Sequence, residues 1–165
     1  KYPFRKRVQE YGRGVNFTAK EDYGLRAVLD LAANAGAGPV QTREIAARQH
    51  IPEQFLEQLL ASLRRAEVVR STRGAGGGYS LAAPPDKITV GQVLRALSGP
   101  LVPTELVTGE GETRVLAELP ETMVIRGFWE SVRAALRGVC DETTVQDLLD
   151  RRSHHAGDAG YMMHI

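Results

Sequence analysis

Apolar residues along this chain recur at helical spacing in short stripes, and the breaks between stripes fall at Gly, Pro and His. Leu25, Val28, Leu29 and Ala32 form the first stripe. It follows Thr18 and Glu21, spaced as in a capping box, and it stops at the break from Gly36 to Pro39. A short helix is predicted from Thr42, an N-cap residue type, to about Gln49, with Ile45 and Ala46 inward. His50, Ile51 and Pro52 read as a turn, and Pro52 suits entry to the next helix. There Phe55, Leu56, Leu59, Leu60 and Leu63 share one face, while Gln54, Glu57, Gln58, Ala61, Arg64 and Arg65 take the other.

The period then changes. Residues 68–72 and 79–81 are β-prone runs around a loop with four glycines and Arg73 at its base. Gly adopts positive φ without steric penalty, so this segment reads as a β-hairpin. Helix, turn, helix and hairpin in that order is the layout of a winged helix. A phosphate loop is excluded, because it needs Gly-Lys-Ser/Thr opening a helix and Gly78 is followed by Tyr79 and Ser80. The dinucleotide fingerprint fails too, since Tyr79 stands at its third glycine position. A turn that is only a turn remains the alternative.

Further on, Thr89 and Gln92 form a second capping box, opening a helix to about Leu97. Residues 99–121 read as a linker rich in Gly, Pro, Glu and Thr. A longer helix carries Ile125, Phe128, Trp129, Val132, Leu136 and Val139 in one stripe, and residues 143–149 read as a last short helix. The long stripe needs cover. A twofold partner would supply it through an isologous interface, with burial on the first helix as the alternative. The expected fold class is mainly α with a small β-hairpin wing: a winged helix-turn-helix plus a long dimerisation helix. Its parts are a basic extension (1–16), the winged helix-turn-helix (17–98), the linker (99–121), the dimerisation helix with a returning helix (122–152) and a tail (153–165).

Composition narrows the chemistry. At 165 residues the chain is long enough for one domain with an appendage. Its single cysteine, Cys140, excludes an internal disulfide framework and a cysteine-rich zinc site. No apolar run is long enough to span a bilayer and no signal-peptide pattern starts the chain, so a cytoplasmic protein without a membrane partner is expected. The net charge of +1 hides a split: residues 1–74 carry 13 Lys/Arg against 8 Asp/Glu, and residues 75–165 carry 8 against 12. The basic half suits an anionic partner. A helix face of Gln and Arg can read base edges in a major groove, or it can be an ordinary solvated face. No nucleophile–base pair or carboxylate constellation stands out, so no enzyme is expected. Nothing fixes the geometry of His154, His155 and His164, so no metal is expected there.

Tyr23-Gly-Leu-Arg-Ala27, Gly38-Pro-Val40, Ile45-Ala46, Phe55-Leu-Glu-Gln-Leu59, Leu63-Arg64 and Arg73-Gly-Ala-Gly-Gly-Gly-Tyr79 occur together at specific spacings. In these residues the chain resembles the Rrf2 family of bacterial winged-helix repressors. The resemblance implies a homodimer that binds double-stranded DNA. Many members of that family are iron–sulfur sensors with three closely spaced cysteines and a fourth ligand before the long helix. Here residues 101–123 hold no cysteine or histidine; aligned on Trp129, Met123 falls at a ligand-cysteine position and Arg126 at a ligand-histidine position. Arg does not deprotonate and cannot ligate iron, so no cofactor is expected.

Gly99-Pro100, the run from Phe128 to Val139, and the run from Thr143 to Leu148 resemble instead the cluster-free branch of the family, which represses cysteine metabolism. So does the ending Tyr161, Met162, Met163, His164 and Ile165. In that branch the co-repressor is cysteine synthase, which captures partners by a C-terminal isoleucine, and the resemblance assigns these five residues to partner binding. A terminal carboxylate beside a branched apolar side chain suits an amino-acid pocket; a frayed end packed on its own domain is the alternative. A redox- or cluster-linked regulator of another stress regulon, and an interaction adaptor without DNA binding, stay open.

On the DNA-binding reading, Gln54, Glu57, Gln58 and Arg64 sit at base edges and Arg65 on phosphate. Arg73 probes a narrow minor groove, and Lys20, Thr42 and Ser71 are backbone anchors. Ile125, Phe128, Trp129, Val132 and Leu136 form the dimer interface. Cys140, beside Asp141 and Glu142, is either a small buried residue or a redox switch across a dimer.

Overall fold

The computed structural model describes residues 18–161; the basic extension and the last four residues lie outside that span. Thr18 caps helix α1 (Ala19–Ala33) as its spacing predicts: its hydroxyl accepts from Lys20 N–H at 3.3 Å and its own N–H donates to Glu21 Oε2 at 2.7 Å. Glu21 is buried, which alone would raise its pKa, but hydrogen bonds from the Ser98 and Thr18 hydroxyls and the Thr18 N–H outweigh burial and hold it at about 2. One carboxylate thus ties the start of α1 to the end of α4 (Val90–Ser98).

Helix α2 (Thr42–Gln49) begins one residue earlier in capping terms than expected. Gln41 is the N-cap and makes no side-chain cap, so Thr42 is the first helical residue rather than the cap. His50 closes α2 in the left-handed region at φ 53°. Pro52 then stands as N-cap of α3 (Glu53–Arg65). Asp30 fastens α1 to α2: its carboxylate accepts from Arg48 Nε at 3.0 Å and Nη2 at 2.7 Å, and from Gln49 Nε2 at 2.9 Å.

The α3 stripe is fully buried at Leu56, Leu59, Leu60 and Leu63, beneath Val28, Ile45 and Val93. At about 1.5–3 kcal/mol per buried aliphatic side chain, this stripe is what holds α3 in place. The helix ends in a Schellman motif. Val68 N–H donates to Leu63 O at 3.0 Å, and Glu67 N–H donates to Arg64 O at 3.1 Å, with Glu67 left-handed at φ 58°.

The hairpin is β1 (Val69–Thr72) with β2 (Gly78–Leu81), antiparallel with Arg70 opposite Ser80 and Thr72 opposite Gly78. Val40 adds a one-residue bridge: its N–H and C=O each pair with Tyr79 at 2.8 Å. Gly78 makes this possible, since a Cβ there would lie 2.3 Å from Val40 O.

After a 3-10 turn (Pro85–Lys87), α4 carries the second capping box, Thr89 with Gln92. The expected linker contains two short helices, α5 (Thr104–Thr108) and α6 (Arg114–Ala117). The long helix α7 spans Pro120–Glu142. The last helix, α8 (Val145–Tyr161), is much longer than the short one expected over 143–149, and it takes in residues 153–161 of the segment read as a tail. Its first residue, Val145, is fully buried in the core, and backbone bonds Val90 to Thr143 (2.9 Å) and Val145 to Ile88 (2.8 Å) stitch α8 to the base of α4. α8 also packs on α1. No helix among the described residues is long and apolar enough to cross a membrane.

Candidate nucleic-acid interface

Burial of one side of α3 leaves the other side to solvent. Gln54, Glu57, Gln58, Arg64 and Arg65 are all exposed. Arg64 Nη1 donates to Ser71 Oγ at 3.3 Å, which joins the C-terminal turn of α3 to β1. Arg65 Nη2 donates to Ser62 Oγ at 3.1 Å. Ser71, rather than the neighbouring Glu57 on α3, is the side chain that orients Arg64.

Lys20, Gln58, Arg64 and Arg65 line one open depression of about 500 Å³ beside α3. Lys20 is half-buried there, with Nζ donating to Leu97 O, so part of its hydrogen-bonding capacity is spent within the fold. Gln54, Glu57, Thr42 and Arg73 lie outside that depression. Thr42 is half-buried at the start of α2. Arg73 is exposed in the glycine loop, one residue past β1, and Gly77 N–H closes the turn onto Gly74 O at 2.9 Å. The arrangement gives an exposed helix face and an exposed wing tip joined by one arginine–serine bond.

Sequence reasoning missed Arg70. It is exposed on β1, and its Nε donates to Ser80 Oγ across the hairpin at 3.1 Å, so the wing carries a guanidinium held in place by the hairpin itself. A basic residue at an outward strand position was the available signal.

The predicted dimer stripe divides in the structure. Ile125 and Phe128 are exposed, Phe128 by 59%, together with Met123, Val124 and Val139. Trp129, Val132 and Leu136 are half-buried, so the outward apolar face overlaps the stripe read in the sequence at Ile125, Phe128 and Val139 and is turned only slightly from it. Phe128 and Trp129 meet edge to face at 5.4 Å. Cys140 is buried, and burial followed by the neighbouring Asp141 charge pushes its thiol pKa up. Tyr161 is the last residue of α8, while Met162, Met163, His164 and Ile165 lie outside the described residues.

A helix-turn-helix with its second helix open to solvent, followed by a two-stranded wing, defines a winged-helix DNA-binding transcriptional regulator and not an enzyme. The profile of the Rrf2 family, described as an iron-dependent transcriptional regulator, matches residues 17–151, and the chain belongs to that family. The regulator CymR of Bacillus subtilis is 37% identical over 134 residues, covering 81% of this chain and 89% of CymR. The solved structure described as CymR, the global cysteine regulator of B. subtilis, superposes with TM-score 0.65 at 38% identity, covering 82% of this chain and 97% of that one. The structure of T. potens IscR gives TM-score 0.66 at 37% identity, over 83% and 88% of the two chains.

The family's iron does not fit the residues here. Met123 is 65% exposed, and Arg126 is held by Glu112, Nη2 to Oε2 at 2.7 Å, with its guanidinium against Gly109. Among the described residues no three His, Cys, Asp or Glu side chains come together as a metal site. The one cysteine is at the far end of α7, remote in sequence from the positions that would need it.

Proposed function

We propose that this chain is a homodimeric repressor that reads double-stranded DNA with the exposed face of α3 and the wing. The observation that carries this is the Arg64–Ser71 bond, which makes the helix face and the hairpin one continuous surface. Gln54, Gln58 and Arg64 take base edges, Glu57 accepts from a cytosine amino group, and Arg65 takes phosphate. Arg73 enters a narrow minor groove from the wing tip, while Lys20, Thr42 and Ser71 fix register on the backbone. Arg70 joins them as a further phosphate contact. The outward face of α7 at Val124, Ile125 and Phe128 pairs with its twofold copy. Fluorescence anisotropy against salt tests the division of labour: Arg65→Ala weakens all sequences and shallows the salt slope by about one unit. Arg73→Ala weakens A·T-rich sites most. Equal loss on every DNA from both variants refutes the assignment.

The regulated genes are those of cysteine and sulfur metabolism. The support is the similarity to CymR, itself described as a global cysteine regulator, together with the absence of cluster ligands in residues 101–123. Cysteine synthase acts as co-repressor by binding the segment from Tyr161 to Ile165. Capture of cysteine synthase by the full chain, lost on deleting Ile165, supports this; equal capture by both chains rejects it and leaves the DNA reading intact.

A further inference from the structure

A second cavity lies where α4, residues 99–104 and α7 converge. Its volume is about 360 Å³, at the lower end of the range of small-molecule sites. Three arginines line it: Arg95 from α4, and Arg133 and Arg137 from α7. Three basic side chains on one small cavity repel one another unless anions compensate them. Compensation here is partial. Arg95 Nη2 is bonded to Asp141 Oδ1 at 2.7 Å, and Arg133 Nη2 is paired with Glu130 Oε2 at 2.5 Å. Arg137 has no ion pair with a described residue, and Arg133 Nε is buried with no hydrogen-bond partner. A buried N–H without an acceptor is destabilising until one is supplied.

The rest of the lining decides what kind of anion fits. Pro100, Leu101, Val102 and Leu136 form an apolar wall, and Thr104 is the one uncharged side-chain hydroxyl. Inorganic phosphate would leave that wall in contact with water. The geometry points to a small organic carboxylate as the ligand: its carboxylate accepts from Arg133 and Arg137, and its apolar body rests on Leu101 and Leu136. Bound there, it braces α7 against α4 between the Asp141 anchor and the outward end of the helix, so its occupancy changes how stiffly that end is held to the DNA-reading head. This regulatory role rests on the DNA-binding reading proposed above; the binding itself does not.

Isothermal calorimetry on the full chain without DNA tests the site, using 4-methylpentanoate, its uncharged amide and inorganic phosphate as probes at millimolar concentration. The carboxylate is expected to bind saturably and the amide not at all. Arg133→Gln and Arg137→Gln are each expected to weaken the carboxylate about tenfold or more, the loss of one charged hydrogen bond. Arg137 lacks an internal partner, so its substitution leaves the fold intact even where Arg133→Gln does not. No saturable binding by the carboxylate, equal binding by the amide, binding unchanged in Arg137→Gln, or phosphate binding more tightly than the carboxylate would each overturn the assignment. DNA anisotropy with and without the probe is read separately: a chain that binds the carboxylate but shows the same DNA affinity with it removes the regulatory role and keeps the site. A chain that binds no DNA at all removes the DNA reading alone.

Discussion

Replacing Asp30 by alanine removes the one carboxylate that fastens α1 to α2. Asp30 is 3% exposed and takes two bonds from Arg48 and one from Gln49. Breaking a buried ion pair by deleting one partner typically destabilises by about 3–5 kcal/mol, because the other charge is stranded. Arg48 is not stranded here. Its side chain is 42% exposed, and Glu44 already stands 3.8 Å from its guanidinium, so the released charge rehydrates or turns to Glu44. Removing the carboxylate also relieves its own desolvation. The expected loss is therefore about 2 kcal/mol, below the buried-pair range. Urea unfolding measures it as a lower midpoint with unchanged m. Coupling between Asp30→Ala and Arg48→Ala in a double-mutant cycle should be about 1–2 kcal/mol. Additive losses, with no coupling, would refute the argument that this pair, rather than the surrounding apolar contacts, joins the two helices. DNA affinity should fall a few-fold in Asp30→Ala, since α2 is the support on which α3 and the Val40 bridge are positioned.

Glu21, with its pKa lowered from 4.5 to about 2, contributes stability that is fully present above pH 4.5 and is lost as pH falls towards 2. The shift corresponds to about 3 kcal/mol, and Glu21→Gln should flatten the acid limb of a stability–pH curve by that order; an unchanged limb sinks the assignment. Gly78→Ala drives a Cβ into Val40 O and should break the Val40–Tyr79 bridge, destabilising the chain by about 2 kcal/mol or more and raising hydrogen exchange at the Tyr79 amide. An unaltered exchange rate there would show the bridge to be dispensable. Glu67→Gly relieves a left-handed conformation at the Schellman position and should raise stability by up to about 1 kcal/mol; a lower thermal midpoint would contradict it.

What the sequence disclosed was local or periodic. Both capping boxes follow from a three-residue spacing, and the α3 stripe follows from helical repeat, so α1, α3 and α4 fall where pattern puts them. The Arg/Gln face of α3 is the complement of that stripe and was legible for the same reason. Contacts between distant positions were not. Asp30 with Arg48, Val40 with Tyr79 and Val145 within the core each join residues far apart in sequence, and no single-chain periodicity encodes them. The helices α5 and α6 are too short to show a period. Helix α8 runs past Leu149 because its first turn is anchored: Thr144 Oγ1 accepts from Asp147 N–H at 3.1 Å while Asp147 Oδ2 accepts from Thr144 N–H at 2.8 Å. Once nucleated, a helix gains one bond per added residue, and weak propensity beyond Leu149 does not stop it.

The same anchoring bears on how the two ends of the molecule communicate. The base of α7 is no hinge. Arg95 on α4 holds Asp141 at 2.7 Å, the Gly91 backbone leaves no room for a Cβ against that carboxylate, and the Thr143 and Val145 backbones are bonded to Val90 and Ile88. Helix α4 in turn packs on both α1 and α3. The reading head and the base of α7 therefore move as one piece, while the outward apolar residues Val124, Ile125 and Phe128 sit at the opposite end of α7. At 1.5 Å per residue, Phe128 stands about 20 Å along the helix from Asp141. On the dimeric reading α7 is then a lever fixed to the head, and a tilt of about 10° at the paired end displaces the head by about 3–4 Å. Half-site spacing on DNA is set by geometry at the scale of one helical turn, so a shift of that size is large enough to change which operators two coupled heads can engage together. A ligand or partner that alters α7 needs no contact with α3 to alter DNA binding.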